Sequence, residues 1–354
     1  MNNQDFVNQL INWYHQHKRN LPWRKTTDPY KIWLSEIMLQ QTRVAQGTPY
    51  YLKFVDEFPT IFDLAKASEN SVLRLWQGLG YYSRARNLHS CAKTVVNEYN
   101  GVFPKTYKDL LALKGIGKYT AAAISSICYG ENRAVVDGNV YRVLSRVYGI
   151  EDDISSTSGA KVFEKLANEV IDSTRPSDYN QAIMEFGALQ CLPKSPDCSI
   201  CPLAIECYAF KNKEQQRLPV KLKKVKVRKR YFNYFVIKSN QNIYLNLRGP
   251  KDVWQGLYDF GLIESKSEVT TEEIMASLPK EFLSEITIEE ESKIFKHILT
   301  HQRIFAIFYT LTIANEAAIS KVELFNALKP YNINEIKELP KPILINNFLE
   351  ASIF

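Results

Sequence analysis

From the N-terminus to about residue 212, apolar side chains recur at intervals of three and four, as in Phe6, Leu10 and Trp13 and again in Val72, Leu75, Trp76 and Leu79. This spacing predicts a succession of amphipathic helices, divided at Pro59, at Gly101 to Pro104 and at Gly115 to Gly117. Beyond Arg230 the pattern changes. YFNYFVI, a KSNQN turn and IYLNLR predict a β-hairpin, and RIFAIFYTLTIA predicts a further strand rich in β-branched and aromatic residues. TTEEIMASLP and ISKVELFNAL predict helices. A multidomain chain is therefore expected, with an all-α domain over residues 1–212, a basic connector over 213–230 and a smaller α+β domain over 231–354.

A length of 354 residues agrees with two domains. The formal net charge of +7 points to a polyanionic partner, and it is concentrated in the connector. In RLPVKLKKVKVRKR, from Arg217 to Arg230, eight of fourteen residues are Lys or Arg and none is acidic, so this stretch is either a solvated linker or one that also contacts phosphates. No apolar run reaches the roughly 18 residues needed to span a bilayer. The opening MNNQDFVNQL lacks the basic start and apolar core of a secretory signal, so a soluble, cytoplasmic protein with no membrane partner is expected.

Four of the six cysteines, Cys191, Cys198, Cys201 and Cys207, fall in the spacing C-x6-C-x2-C-x5-C. Thiolates this close along a chain can converge on one centre, and four sulfurs suit a [4Fe-4S] cluster or tetrahedral zinc. Zinc sites usually pair two close couples of ligands, whereas here one close pair is flanked by two outlying cysteines, which favours iron–sulfur. A disulfide framework is the weaker alternative, because a chain this long has core enough without staples. Cys91 and Cys128 lie in apolar helical contexts and read as small buried hydrophobes.

Further candidate chemistry is spread along the helical part. In LLALKGIGKYTAAAI, Gly115 and Gly117 permit a tight turn whose backbone N–H groups, with the next helix N-terminus, can accept a phosphate between Lys114 and Lys118. A packing helical hairpin would look much the same. Glu36 lies in KIWLSEIMLQQT amid apolar neighbours, where desolvation would raise its pKa toward that of a general acid; the alternative is a glutamate on the helix's one wet face. Asp137 precedes the helix VYRVLSRV, a usual N-cap placement. Aromatic and polar residues interleave in LPWRKTTDPY and QGLGYYSRARN, as in surfaces that stack on bases, though such residues more often pack.

Taken in order, LPWR, WLSEIMLQQTRV, QGLGYYSRARNL, LKGIGKYTAAAI, VVDGNVYRVLSR, NQAIMEFGALQC and the cysteine spacing resemble the helix–hairpin–helix DNA glycosylase superfamily over nearly the whole chain. Within it they are most similar to the MutY-type adenine DNA glycosylases. The resemblance implies an all-α helix–hairpin–helix glycosylase domain, with its hairpin at about 107–128 and a [4Fe-4S] loop at 191–207, followed by an α+β Nudix-like lesion-recognition domain. It implies Glu36 as the acid that protonates adenine at N7 and Asp137 as the carboxylate facing the oxocarbenium-like sugar, with Tyr119 and Asn139 in support. Arg19, Leu21, Trp23, Arg24 and Gln181 match positions around an extruded adenine. Gln41, Thr42 and Tyr81 match the region that enters the duplex beside the lesion pair, while Gly115, Gly117 and Lys118 match the hairpin on the DNA backbone.

Where related bifunctional enzymes carry a Schiff-base lysine, this chain has Tyr119, which implies a monofunctional enzyme that leaves an abasic site. The segment WQGLYDFGLIE resembles the family's WxGLWEFP-like stretch, with Gly261 where proline is usual, and no glutamate-rich Nudix metal box is present. Leu299, Thr300 and His301 stand where the family reads 8-oxoguanine. The implied partner is double-stranded DNA with adenine opposite 8-oxoguanine or guanine, bound by a monomer associated with a bacterial-type nucleoid. A bifunctional pyrimidine glycosylase, or a catalytically silent DNA-binding module with a metal staple, are the competing readings.

Overall fold

The computed structural model describes residues 2–223, 226–250 and 252–354; Met1, Lys224, Val225 and Lys251 lie outside the described residues, and with them two positions of the expected basic connector. Contacts divide the chain into two compact units, one of Met1–Lys66 with Asn87–Lys224 and one of Ala67–Arg86 with Val225–Phe354. This grouping differs from a cut after residue 212, because a segment expected in the helical domain joins the second unit. Its tethers are specific. The Gln77 amide donates to Asn346 at 3.0 Å, Gln77 accepts from the Lys341 backbone N–H at 3.1 Å, and Arg86 donates to the Gln255 carbonyl at 2.6 Å.

The first unit is helical, as its periodicity predicts. The opening helix, Asn3–His17, is capped by the Asn2 side chain and buries Phe6, Val7, Leu10, Ile11, Trp13 and Tyr14 along one stripe. That stripe packs into a core shared with the helices Gly138–Tyr148 and Pro176–Leu189, which contribute Val140, Leu144, Tyr179, Ile183 and Phe186. The helix Pro29–Leu39 starts with proline at its first position behind an Asp28 cap, and the helix Lys118–Tyr129 follows the glycine turn. The limb preceding that turn is a single helical turn, Tyr107–Leu110.

Among the described residues, the second unit is built on a mixed eight-stranded sheet: β1 (Arg228–Ser239), β2 (Asn242–Leu247), β3 (Tyr258–Asp259), β4 (Gly261–Ser265), β5 (Ile286–Glu291), β6 (Phe295–Ile298), β7 (Gln302–Ile313) and β8 (Lys329–Asn332). The expected hairpin is β1–β2, and the expected aromatic strand is β7, which pairs parallel to β1. β1 is buried almost continuously because both faces are covered. On one face Tyr234 stacks on Phe308 and Phe308 on Phe348 of the helix Ile343–Ser352; on the other, Phe235, Tyr309 and Leu311 meet Ile274 and Phe282.

TTEEIMASLP forms the expected helix, Thr271–Ala276, with a capping box from Thr270 and Glu273. ISKVELFNAL does not. It forms two short 3-10 turns, Glu316–Lys321 and Glu323–Phe325, separated by extended Val322. The buried residues Ile319, Val322, Phe325 and Leu328 recur every three positions, the 3-10 period, so a turn of that pitch buries all four where an α-helix would rotate them off the core. Gly261 serves this packing, since a Cβ there would stand 2.8 Å from the Phe325 ring.

Candidate active site

Several segments of the first unit, distant in sequence, direct side chains into one cavity of about 400 Å³. The helix Pro29–Leu39 buries Trp33, Leu34, Ile37 and Met38 in the core and turns half-buried Glu36 toward the cavity. Tyr119 enters from the first turn of the hairpin's second helix, and Asp137 and Asn139 from the start of the helix Gly138–Tyr148. The 3-10 turn Pro22–Lys25 and the residues before it supply Arg19, Leu21, Trp23 and Arg24, and the helix Pro176–Leu189 supplies Gln181. Thr42 lines the same space.

Asp137 is both an N-cap and a wall of this cavity. Its Oδ1 accepts from the backbone N–H groups of Asn139 and Val140, both at 2.8 Å, and its Oδ2 from the Asn139 side-chain amide at 2.9 Å. Asn139 is held in turn by Arg142 at 2.9 Å, whose guanidinium also donates to the carbonyls of Gly187 at 2.6 Å and Cys191 at 2.7 Å. Capping therefore fixes the carboxylate's direction, while one edge stays on the cavity.

Electrostatically the two half-buried carboxyls are partly desolvated. Burial pushes Glu36 from the usual 4.5 up to about 7; a hydrogen bond with Tyr119 opposes this, the charge of Asp137 adds to it and Arg24 opposes it. Burial also raises Asp137 above the ordinary aspartate range, against the pull of the Val140 and Asn139 donors. Tyr119 is pushed well above its usual value by burial and then by the two neighbouring carboxylates, so its hydroxyl stays protonated and able to donate; it also lies 3.0 Å from the Met184 sulfur. The arrangement offers one carboxyl that is half protonated near neutrality beside another that a helix N-terminus favours as the anion.

A third carboxyl was not anticipated. Glu185 accepts from Arg19 through its backbone N–H and Nε at 2.9 Å and its Nη2 at 2.5 Å, and from both terminal nitrogens of Arg24 at 2.8 Å. Burial opposes its ionisation, but the Arg24 and Arg19 donors outweigh it and hold Glu185 down to about 2. A signal for it existed. Gln181, Met184, Glu185 and Ala188 occupy one helical face by spacing, and all four line the cavity.

The remaining candidates lie elsewhere. Gln41 is exposed just past the end of the Pro29–Leu39 helix and does not line the cavity. It has φ 55°, and Tyr81 in the second unit has φ 50°. Both are thus left-handed without being glycine, a conformation that costs of order 1 kcal/mol and holds a side chain where an ordinary turn would not. Gly115, at φ +83°, could not carry a Cβ without meeting Asn87 at 2.8 Å, and Gly117 starts the next helix with no side-chain cap, which leaves N–H groups available to an anion. Lys118 is exposed there and paired with Glu164 at 2.9 Å.

Tyr81, Leu299, Thr300 and His301 line a second cavity, of about 430 Å³, within the second unit, and the Tyr81 and Thr300 hydroxyls are hydrogen-bonded. Cys191, Cys198, Cys201 and Cys207 open on one small void of about 30 Å³ beside Arg146, which reaches the Cys191 sulfur at 3.4 Å. All six cysteines are free. Among the described residues no group of three or more His, Cys, Asp or Glu side chains is placed to hold a metal ion, but by its chemistry a donor set of four thiols without carboxylate or imidazole suits an iron–sulfur group or tetrahedral zinc.

Residues 34–171 match the HhH-GPD superfamily base excision DNA repair protein family, and residues 233–351 match a NUDIX domain. The chain is 36% identical over 349 residues to the adenine DNA glycosylase of Buchnera aphidicola subsp. Baizongia pistaciae, covering 96% of this chain and 94% of that protein. It is 46% identical over 222 residues to the adenine DNA glycosylase of Homo sapiens, covering 60% of this chain and 41% of that one. A thermostable thymine-DNA glycosylase of known structure superposes with TM-score 0.55 at 29% identity, over 59% of this chain and 97% of that one. The chain belongs to the adenine DNA glycosylase family, with a helical HhH-GPD part followed by a mixed-sheet, Nudix-like part. No helix among the described residues is long and apolar enough to cross a membrane.

Proposed function

We propose that this protein is a monofunctional DNA glycosylase that extrudes adenine paired with 8-oxoguanine or guanine, cleaves its N-glycosidic bond and leaves an abasic site. The observation that carries the reading is the meeting of Glu36, raised to about 7, with the capped Asp137 on one cavity of about 400 Å³, a volume ample for a flipped base. Protonated Glu36 delivers its proton to the adenine ring, so the base departs neutral. Asp137 faces the cation that develops on the sugar as the bond breaks, and water then adds its hydroxyl at the anomeric carbon while its other proton returns to the Glu36 carboxylate. Tyr119 donates to the Glu36 carboxylate left behind, and Asn139 keeps Asp137 aimed. Tyr119 has no amine for a Schiff base, which is the argument against lyase chemistry.

Arg19, Leu21, Trp23, Arg24 and Gln181 frame the adenine, with Glu185 fixing both arginines. Gln41, Thr42 and Tyr81 enter the duplex; Gly115, Gly117 and Lys118 hold its backbone; and Leu299, Thr300 and His301 meet the base opposite adenine. Cys191, Cys198, Cys201 and Cys207 would hold a [4Fe-4S] cluster, which when bound supplies a rigid, charged loop rather than a reacting group. The test is adenine release from duplexes with adenine opposite 8-oxoguanine, guanine or thymine, with Glu36→Gln as control and borohydride trapping alongside. Release opposite the first two and no trapped adduct is expected. Equal inactivity on all three, or a covalent adduct with turnover on oxidised pyrimidines, overturns the reading.

A further inference from the structure

One wall of the cavity in the second unit is the turn from Asp252 to Trp254, to which no role has so far been attached. Trp254 has φ +66°, a left-handed conformation unfavourable for a bulky residue, so the turn persists only because its surroundings hold it. What holds it is a pair of buried guanidinium groups that share one carboxylate. Arg230 donates to both oxygens of Asp252, at 2.7 and 3.0 Å, and Arg248 donates to Asp252 at 2.5 Å and to the carbonyl of Val253 at 2.9 Å. Each guanidinium is anchored behind the turn, Arg230 on Glu264 at 2.6 Å and Arg248 on fully buried Asp259 at 2.6 Å.

The same Arg230 reaches the opposite wall. Its Nη1 donates to the Gln302 side-chain oxygen at 3.2 Å, and Gln302 is the first residue of β7, directly after His301. Trp254 in turn meets the His297 ring edge-on, with centroids 5.4 Å apart. Asp252 and the two arginines thus tie the 252–254 turn to the strand ends that bracket Leu299, Thr300 and His301. Buried ion pairs add little stability relative to well-packed apolar groups; their bidentate geometry gives placement instead.

We propose that Asp252, held by Arg230 and Arg248, is a positioning residue that sets the spacing of the two walls of this cavity and thereby the discrimination between 8-oxoguanine and guanine opposite the target adenine. The inference rests on the function proposed above. The two bases differ by one oxygen at C8 and one hydrogen at N7, a difference a site reads only when its groups are held within about 0.5 Å.

The test uses the full-length protein as purified and the ratio of kcat/KM for adenine release opposite 8-oxoguanine to that opposite guanine. Asp252→Asn is expected to lower this ratio about tenfold through KM on the 8-oxoguanine duplex, with single-turnover release at saturating enzyme unchanged. Arg230→Lys keeps the charge, but one ammonium cannot span Asp252, Glu264 and Gln302 together, so it is expected to lower the ratio as well. Glu289→Gln, which removes the Lys238 ion pair on the same sheet away from this cavity, is expected to leave the ratio within about twofold. An unchanged ratio in both Asp252→Asn and Arg230→Lys, or an equal loss on both duplexes, overturns the positioning role. A wild-type protein that excises adenine equally opposite both bases overturns the lesion reading beneath it and the inference with it.

Discussion

Replacing Glu36 by glutamine separates what this residue does for the reaction from what it costs the fold. The carboxyl rises from the usual 4.5 to about 7 on folding, chiefly through burial. At about 1.4 kcal/mol per pH unit, that shift corresponds to about 3 kcal/mol as an upper figure, since water in the cavity screens part of it. The sign follows from proton counting. Between about pH 4.5 and 7 the folded state binds the proton that the unfolded state has released, so wild-type stability falls with rising pH across this window and levels off above it. Glutamine does not titrate. The variant should therefore gain on the wild type by at most about 2.5 kcal/mol between about pH 5 and pH 8, while adenine release is lost. Denaturant unfolding followed by far-ultraviolet circular dichroism, which the helical unit dominates, measures the first effect. Single-turnover adenine release, which in the wild type should decline as pH rises through about 7, measures the second. A stability gap independent of pH, or glutamine at wild-type rate, would refute the assignment of Glu36 as a buried acid.

Asp137→Asn preserves an N-cap, because asparagine caps nearly as well as aspartate; the melting temperature should shift by the equivalent of less than about 1 kcal/mol while adenine release falls at least a hundredfold. A proportional loss of both, measured by calorimetry and single-turnover release, would mean that capping is its whole contribution. At Gly187 an added Cβ would stand 2.6 Å from the Asn139 Cβ and 3.1 Å from its Cα and carbonyl oxygen. Gly187→Ala is therefore expected to cost about 1–3 kcal/mol in denaturant unfolding and, by displacing the donor that aims Asp137, to slow adenine release. Cys198→Ser removes one of four thiols around the small void, so anaerobically purified protein should lose bound iron and its broad visible absorbance; an iron assay that finds none in the wild type, with stoichiometric zinc instead, would replace iron–sulfur by zinc.

Local chemistry was legible along the chain wherever one segment decides the outcome. The three-and-four spacing of Phe6, Leu10 and Trp13 specified which side of the first helix is buried, and the KSNQN stretch specified the turn between β1 and β2. Asp137 before VYRVLSRV read as a cap and is one. The apolar neighbours of Glu36 foretold its desolvation, because burial of a helix face follows from the residues beside it. ISKVELFNAL misled because Ile319, Val322, Phe325 and Leu328 recur strictly every three residues, a spacing that follows the 3-10 period and drifts around an α-helix.

Convergence was decided only by tertiary structure. Glu36 and Asp137 lie a hundred residues apart on different helices, and nothing local to either says that both open on one cavity. Likewise, the helix Glu69–Leu75, with Trp76 as its C-cap, carries no mark of its membership of the second unit, which rests on hydrogen bonds of Gln77 and Arg86 to Asn346, Lys341 and Gln255. Sequence alone determined the elements, their caps and the kinds of chemistry available, because propensity, periodicity and capping act within a few residues. Which carboxyl faces which, and so the raised pKa of Glu36 beside a capped Asp137, depended on the packing of distant helices, because charge and desolvation act through space rather than along the chain.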